Sequence, residues 1–252
     1  MDKTVFVTGA DRGLGLELAK GLLKEGCKVF AGRYLVKWKN LIQLKAEYED
    51  SLTIVDIDIS DDESVKEAAR LIMGKTDSLD ILINNAAINE NDGFQKRIFD
   101  KLDFKNMLDV YNVNALGPLR VTNALIDLVL KSYNKLIINI SSEAGSIGTC
   151  WRQEGFAYCM SKAALNMQAA IIHNSLHREF NGQVINIHPG GMQTHFDCPP
   201  DRESEQTETP AMKMFLTPDF VAGCIIDIIK DQERFKSDKP AFINYRGDRI
   251  PW

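Results

Sequence analysis

Hydrophobic positions along the chain fall into two kinds of segment that alternate. Thr4–Val7, Lys28–Ala31, Leu52–Val55, Leu79–Ile83, Lys135–Ile140, Gln183–Ile187 and Ala241–Asn244 are short and rich in β-branched residues, as strands buried on both faces are. Between them, Gly15–Lys24, Ser64–Met73, Lys105–Leu130, Tyr158–Phe180 and Pro218–Lys230 repeat apolar residues at helical spacing, which predicts helices with one buried stripe. Strand alternating with helix implies parallel pairing through right-handed crossovers, with helices on both faces. The expected fold class is α/β, a doubly wound and mainly parallel sheet of seven strands.

Two stretches escape this rhythm. Residues 88–105 are polar, and residues 191–217 carry Cys198-Pro-Pro200 followed by Asp201-Arg-Glu-Ser-Glu-Gln with little periodicity. Long loops in compact folds usually carry function, and in open α/β sheets ligands bind beyond the carboxyl ends of the strands. Residues 191–217 are therefore expected to act as a substrate lid. No repeat or linker divides the chain, so residues 1–252 are expected to form one domain.

Composition removes several classes of function. Of 252 residues, 44% are hydrophobic and 26% charged, which suits an ordinary globular protein. Thirty Lys and Arg against thirty-five Asp and Glu give a net charge of -5, without the basic excess that nucleic-acid binding needs. No continuous apolar run approaches the ~18 residues of a membrane span. A strand at Thr4 leaves no room for a leader, so a cytoplasmic protein without membrane attachment is expected. The odd set Cys27, Cys150, Cys159, Cys198 and Cys224 lacks zinc-ligand spacing and reads as reduced thiols.

The first strand runs into Thr8-Gly9-Ala10-Asp11-Arg12-Gly13-Leu14-Gly15 and then a helix. Glycines permit a tight turn and let backbone approach a diphosphate, whose charge sits against the helix N-terminus. The spacing is Gly-x-x-x-Gly-x-Gly, a weak signal by itself; its place after strand one gives it meaning. An NAD site prefers an acidic residue about 20 positions on. Here Arg33 stands twenty past Gly13, and with Arg12 it is positioned to clasp a 2′-phosphate. NADP(H) is the expected cofactor, the alternative being two solvated surface arginines.

Tyr158-Cys-Met-Ser-Lys162 opens a helix, and positions four apart share a helix face. An ammonium beside a phenol stabilises the phenolate, so such a tyrosine can exchange a proton with a substrate oxygen near neutral pH. Tyr and Lys at this spacing are more often mere surface neighbours.

Five blocks in order turn the balance: Thr8-Gly9-x-x-x-Gly13-x-Gly15, Asn84-Asn85-Ala86-Ala87, Asn114, Ser141-Ser142 ahead of Tyr158-x-x-x-Lys162, and Pro189-Gly190-x-x-x-Thr194. Together they resemble the short-chain dehydrogenase/reductase family over essentially the whole chain. Tyr158-x-Met-Ser-Lys-Ala-Ala-Leu-Asn-Met167 and Gly247-x-x-x-Pro-Trp252 are similar to its C-factor and sniffer-type carbonyl reductase branch.

The resemblance implies a Rossmann-type fold and a set of roles. Tyr158 would be the general acid and base. Lys162 would lower its pKa and bind the nicotinamide ribose. Ser142, preferred over its neighbour Ser141, would hydrogen-bond the substrate oxygen. Asn114 would hold a water in the proton relay. Gly9, Asp11, Arg12, Gly13, Leu14 and Gly15 would form the cofactor turn, and Asp58 and Ile59 would bracket the adenine. Asn85, Ala86 and Ala87 would pass the ribose, and Pro189, Met192 and Thr194 would lie near the carboxamide.

Two departures stand out: Ala87 replaces the usual glycine, and the Ser142–Tyr158 separation of sixteen residues is slightly long, through the insert Cys150-Trp151-Arg152-Gln153-Glu154. The insert is either a pocket-edge elaboration or an inert surface loop. Glu143, Trp151, Phe156, Met192 and Phe196 are candidate pocket residues. The activity implied is NADPH-dependent interconversion of a small carbonyl compound and an alcohol. Alternatives are an NADP(H)-binding regulatory or signalling protein, or another reaction on the same scaffold. A homodimer or homotetramer built on the two long helices is expected.

Overall fold

The computed structural model describes residues 1–89, 96–192 and 215–252. Seven strands, β1 (Thr4–Val7), β2 (Lys28–Arg33), β3 (Leu52–Asp56), β4 (Ile81–Asn84), β5 (Leu136–Ile140), β6 (Gln183–His188) and β7 (Ala241–Asn244), form one parallel sheet. Its order is β3-β2-β1-β4-β5-β6-β7. The chain winds outward through β2 and β3, then returns to lay β4 against β1. This reversal opens a crevice at the carboxyl ends of those two strands.

The period of two along each strand divides the apolar residues between two cores. Val5, Val7, Ile81, Ile83, Ile138 and Ile187 face one side, where they meet Leu18 and Leu22 of α1 (Gly13–Lys24) and Ile225 and Ile229 of α7 (Pro218–Lys230). Phe6, Leu82, Ile137 and Val184 face the other, against Ile72 of α3 (Asp62–Met73), Leu125 and Val129 of α5 (Gly117–Lys131) and Leu176 of α6 (Phe156–Phe180). Both faces being covered explains why the strands read as unbroken apolar runs.

The helices refine the expectations. α3 begins at Asp62 because the Asp61 carboxylate accepts the Ser64 N–H at 2.7 Å. α2 (Asn40–Glu47) escapes the periodicity because it buries only Leu41 and Leu44. The helix expected over Lys105–Leu130 is three pieces: α4 (Phe104–Tyr111), a π-helical turn at Asn112–Leu116, and α5. Pro118 has no N–H for the Asn114 carbonyl, so the regular ladder is interrupted there. By length and composition Phe104–Lys131 would suffice to cross a membrane, although half of its most apolar window is buried within the fold.

A row of carboxamides crosses the second half of the sheet. Asn84 donates to Asn139 at 2.9 Å, Asn139 to Asn186 at 2.9 Å and Asn186 to Asn166 of α6 at 2.9 Å. The three strand residues are register partners, Asn84 with Asn139 and Asn139 with Asn186. The row anchors α6 to the sheet.

Candidate active site

A cleft of about 680 Å³ lies beyond the carboxyl ends of the strands. At its β1 end the glycine turn is tightly drawn. Gly9 has φ +63°, and a Cβ on it would stand 2.9 Å from the Ala86 Cα; one on Gly15 would stand 2.2 Å from the Gly9 carbonyl oxygen. Asn85 locks the turn to β4, donating its side-chain amide to the carbonyls of Thr8 at 2.9 Å and Gly9 at 3.0 Å. Thr8 Oγ1 accepts the N–H groups of Asn85 and Ala86. Among the described residues, Gly13, φ +54°, faces open space and the N-terminus of α1 has no side-chain cap. Room and unclaimed amides at a helix N-terminus are what a diphosphate requires, so these residues fit a dinucleotide. Asp11, Arg12 and Leu14 line the cleft here, as do Ala86 and Ala87.

Asp58 and Ile59, following β3, line the next part of the cleft, where Asp58 Oδ1 accepts from Ser60 N at 2.8 Å and Ser60 Oγ at 2.6 Å. Both expected phosphate-binding arginines are engaged by carboxylates. Arg33 donates to Asp56 through Nε at 2.6 Å and Nη2 at 3.0 Å, and Arg12 pairs with buried Asp11 at 2.9 Å. Tyr34, the neighbour of Arg33, lines the cleft, whereas Arg33 is outside its lining.

At the β5 end, Ser142, Tyr158 and Lys162 converge. Gly155, φ +78°, turns the chain into α6, so Tyr158 lies in its first turn and Lys162 one turn further on. The Lys162 ammonium sits 5.6 Å from the Tyr158 ring centroid and donates to the Ile140 carbonyl at 2.9 Å. Burial pushes the Tyr158 phenol up to about 12, opposite to the lowering expected from Lys162, a rise moderated by its hydrogen bond with Ser142. Burial pulls Lys162 down to about 8. Ser141 instead donates to Asn166 at 2.6 Å, which turns its hydroxyl into the interior. Asn114, in the π-turn and fully buried, accepts the Ile88 N–H at 2.8 Å and donates to the Ile88 carbonyl at 2.8 Å and to Ser161 Oγ at 3.2 Å. The tail is bound to the loop after β5, with Ser146 Oγ donating to the Pro251 carbonyl at 2.7 Å.

Glu143, Pro189 and Met192 line the cleft. Trp151 does not; it is largely exposed and stacks under Arg152, while Phe156 lines a separate cavity of about 390 Å³. Thr194, Phe196 and most of the expected lid at 191–217 lie outside the described residues. His188 is a cleft residue that motif reading missed, while Arg152 of the insert and Phe215 of the expected lid segment also line the cleft. His188 directly precedes the Pro189-Gly190 block, the one signal that pointed to it.

A parallel sheet with its crevice at the order reversal, and a glycine turn under an uncapped helix, define the dinucleotide-binding class of α/β proteins. The pattern of the short chain dehydrogenase family matches residues 3–204, and the chain belongs to that family. An uncharacterised oxidoreductase of Schizosaccharomyces pombe is 31% identical over 100% of this chain and 98% of its own length. The NADPH-bound carbonyl reductase from chicken fatty liver superposes with a TM-score of 0.81 at 29% identity, covering 100% of this chain and 99% of that one. The carbonyl reductase Sniffer of D. melanogaster shares the fold, with a TM-score of 0.82 at 23% identity over 100% of both chains. The protein is thus an oxidoreductase of this family, with an NAD(P)-type cofactor and a small-molecule substrate.

Proposed function

We propose that the protein is an NADPH-dependent reductase that interconverts a ketone, aldehyde or quinone with the corresponding alcohol. The observation that carries this reading is the convergence of Ser142, Tyr158 and buried Lys162 at one end of the dinucleotide cleft. When bound, the nicotinamide supplies the hydride. Tyr158 keeps its proton at neutral pH because its phenol is pushed up to about 12, so it acts as the acid that protonates the carbonyl oxygen. Ser142 hydrogen-bonds the same oxygen as negative charge develops. Lys162, pulled down to about 8, holds a proton that it can release near neutrality, and Asn114 with the Ile88 backbone orders the path behind it.

Selectivity for NADP(H) over NAD(H) rests on Arg33 and Arg12. Binding the 2′-phosphate requires Arg33 to exchange or share the Asp56 carboxylate, so Asp56 acts against the phosphate. Both ends of the cleft belong to one sheet, so coenzyme and substrate meet within a single domain. Exposed Phe104, Leu108, Leu119, Met160, Met167 and Ile171 on α4, α5 and α6 form the apolar surface on which a homodimer would assemble. The half-buried Phe104–Lys131 segment suits a cytoplasmic protein rather than a membrane anchor.

The test follows NADPH oxidation across a panel of ketones, aldehydes and quinones, with Tyr158→Phe alongside. Turnover that survives this substitution overturns the proton-transfer assignment. NADPH binding without turnover of any carbonyl compound overturns the enzymatic reading.

A further inference from the structure

One wall of the cleft takes no part in the proton transfer proposed above. Glu143 follows Ser142 directly, and Arg152 arrives from the insert before Tyr158. The Arg152 guanidinium grips the Glu143 carboxylate twice, Nη1 to Oε2 at 3.0 Å and Nη2 to Oε1 at 2.5 Å. The Trp151 ring lies 4.8 Å beneath that guanidinium and holds it in place. His188, at the end of β6, lines the same cleft, and its Nδ1 is buried without a hydrogen-bond partner among the described residues. Burial favours its neutral form, against an opposing pull from Glu143.

This wall constrains the ligand in two ways. A half-buried ion pair and an orphaned imidazole nitrogen would lose their remaining water to a purely apolar ligand and receive nothing in return. The ligand must therefore carry a polar group beside its reacting oxygen. The charges on the wall already cancel, however. A ligand carboxylate would face Glu143, and a ligand ammonium would face Arg152, so the polar group is neutral. Glu143 accepts but cannot donate, which asks for an O–H rather than a second carbonyl. Met192 and Phe215, also in the lining, suit a hydrocarbon remainder.

Building on the carbonyl-reductase reading, we propose that the substrate is a neutral α-hydroxy ketone or α-hydroxy aldehyde. Its carbonyl oxygen lies at Ser142 and Tyr158, its hydroxyl donates to Glu143, and His188 is the second hydroxyl partner. The product is a vicinal diol, formed with hydride from NADPH and a proton delivered through Tyr158.

The experiment compares kcat/KM for three ketones that differ in one arm: 1-hydroxy-2-butanone, 3-pentanone and 2-oxobutanoate. The hydroxy ketone is expected to exceed 3-pentanone by at least about tenfold, a floor far below the roughly 10⁴-fold by which a site built to hydrogen-bond a hydroxyl can reject its absence. The oxo acid is expected to be the poorest. In Glu143→Leu, which removes the acceptor, and, independently, in His188→Phe, the ratio of hydroxy ketone to 3-pentanone falls toward one. A merely structural defect would lower both rates together and leave the ratio intact. Equal rates in the wild type, preference for 2-oxobutanoate, or an unchanged ratio in both variants overturns the proposal. If none of the three is reduced but other carbonyl compounds are, in a Tyr158-dependent way, the substrate class is wrong and carbonyl reduction stands. If no carbonyl compound is reduced at all, both fall.

Discussion

At the β1 end of the cleft the protein meets its ligand with backbone, whereas at the β5–β6 end it meets it with side chains. The first site consists of glycines, uncapped amides and the Asn85 clamp, all within a few residues of a strand end. The second gathers Ser142, Glu143, Arg152, Tyr158, Lys162 and His188 from a loop, an insert, a helix and another strand. A backbone site tolerates almost no added atoms yet has no side-chain chemistry to lose. A side-chain site has spare volume, but each member has a distinct chemical role. The two ends should therefore fail differently, one through sterics and the other through protonation.

Replacing Tyr158 with Phe tests the side-chain end most severely. We expect kcat to fall by about 10³-fold, within the range for loss of a positioned acid, with NADPH affinity retained in a fluorescence titration. Next comes Lys162→Met, read by urea denaturation against pH. The folded lysine titrates near 8 and the unfolded one at 10.5. Between these values the unfolded chain binds more protons, so wild-type stability should rise as pH rises through this window. The rise, about 3 kcal/mol at most, should be missing in the variant.

The backbone end is probed by Gly15→Ala, whose methyl meets the Gly9 carbonyl oxygen. It should weaken coenzyme binding and lower stability by about 1–3 kcal/mol, whereas Gly13→Ala meets no neighbouring atom and should lose only the about 1 kcal/mol that its left-handed backbone (φ +54°) imposes on a side chain. The smallest effect is expected for Asp56→Asn, which frees Arg33: binding of NADP(H) relative to NAD(H), measured calorimetrically, should tighten by about fivefold. An unchanged ratio would mean that Arg33 does not reach the phosphate.

What was legible in the sequence follows the same division. The strands and the glycine turn are local patterns, and local patterns survive in one dimension. The Tyr158 and Lys162 pair was legible because both ends of the contact lie on one helix turn. The Arg33–Asp56 pair was not, because it is a cross-strand partnership between β2 and β3 that only register reveals. Glu143 and Arg152 are nine residues apart, but a loop of no periodicity joins them, and Trp151 looked more like a pocket residue than its exposed position allows. The π-turn stayed hidden because one inserted residue shifts the apolar stripe without erasing it, and α2 because two buried leucines are too few to mark a helix.

The carboxamide row across β4, β5 and β6 bears on how this sheet assembles. Parallel strands of nearly uniform aliphatic character can slide by two residues and still keep the same face inward. A slip of that size here would set Asn84, Asn139 or Asn186 against hydrocarbon with its amide unpaired, so misaligned pairings are disfavoured while the strands are still docking. The row works as a proofreading mark. The correct alignment of the strand ends carrying Asn85, Ser142 and His188 is thus selected during folding, before any ligand arrives.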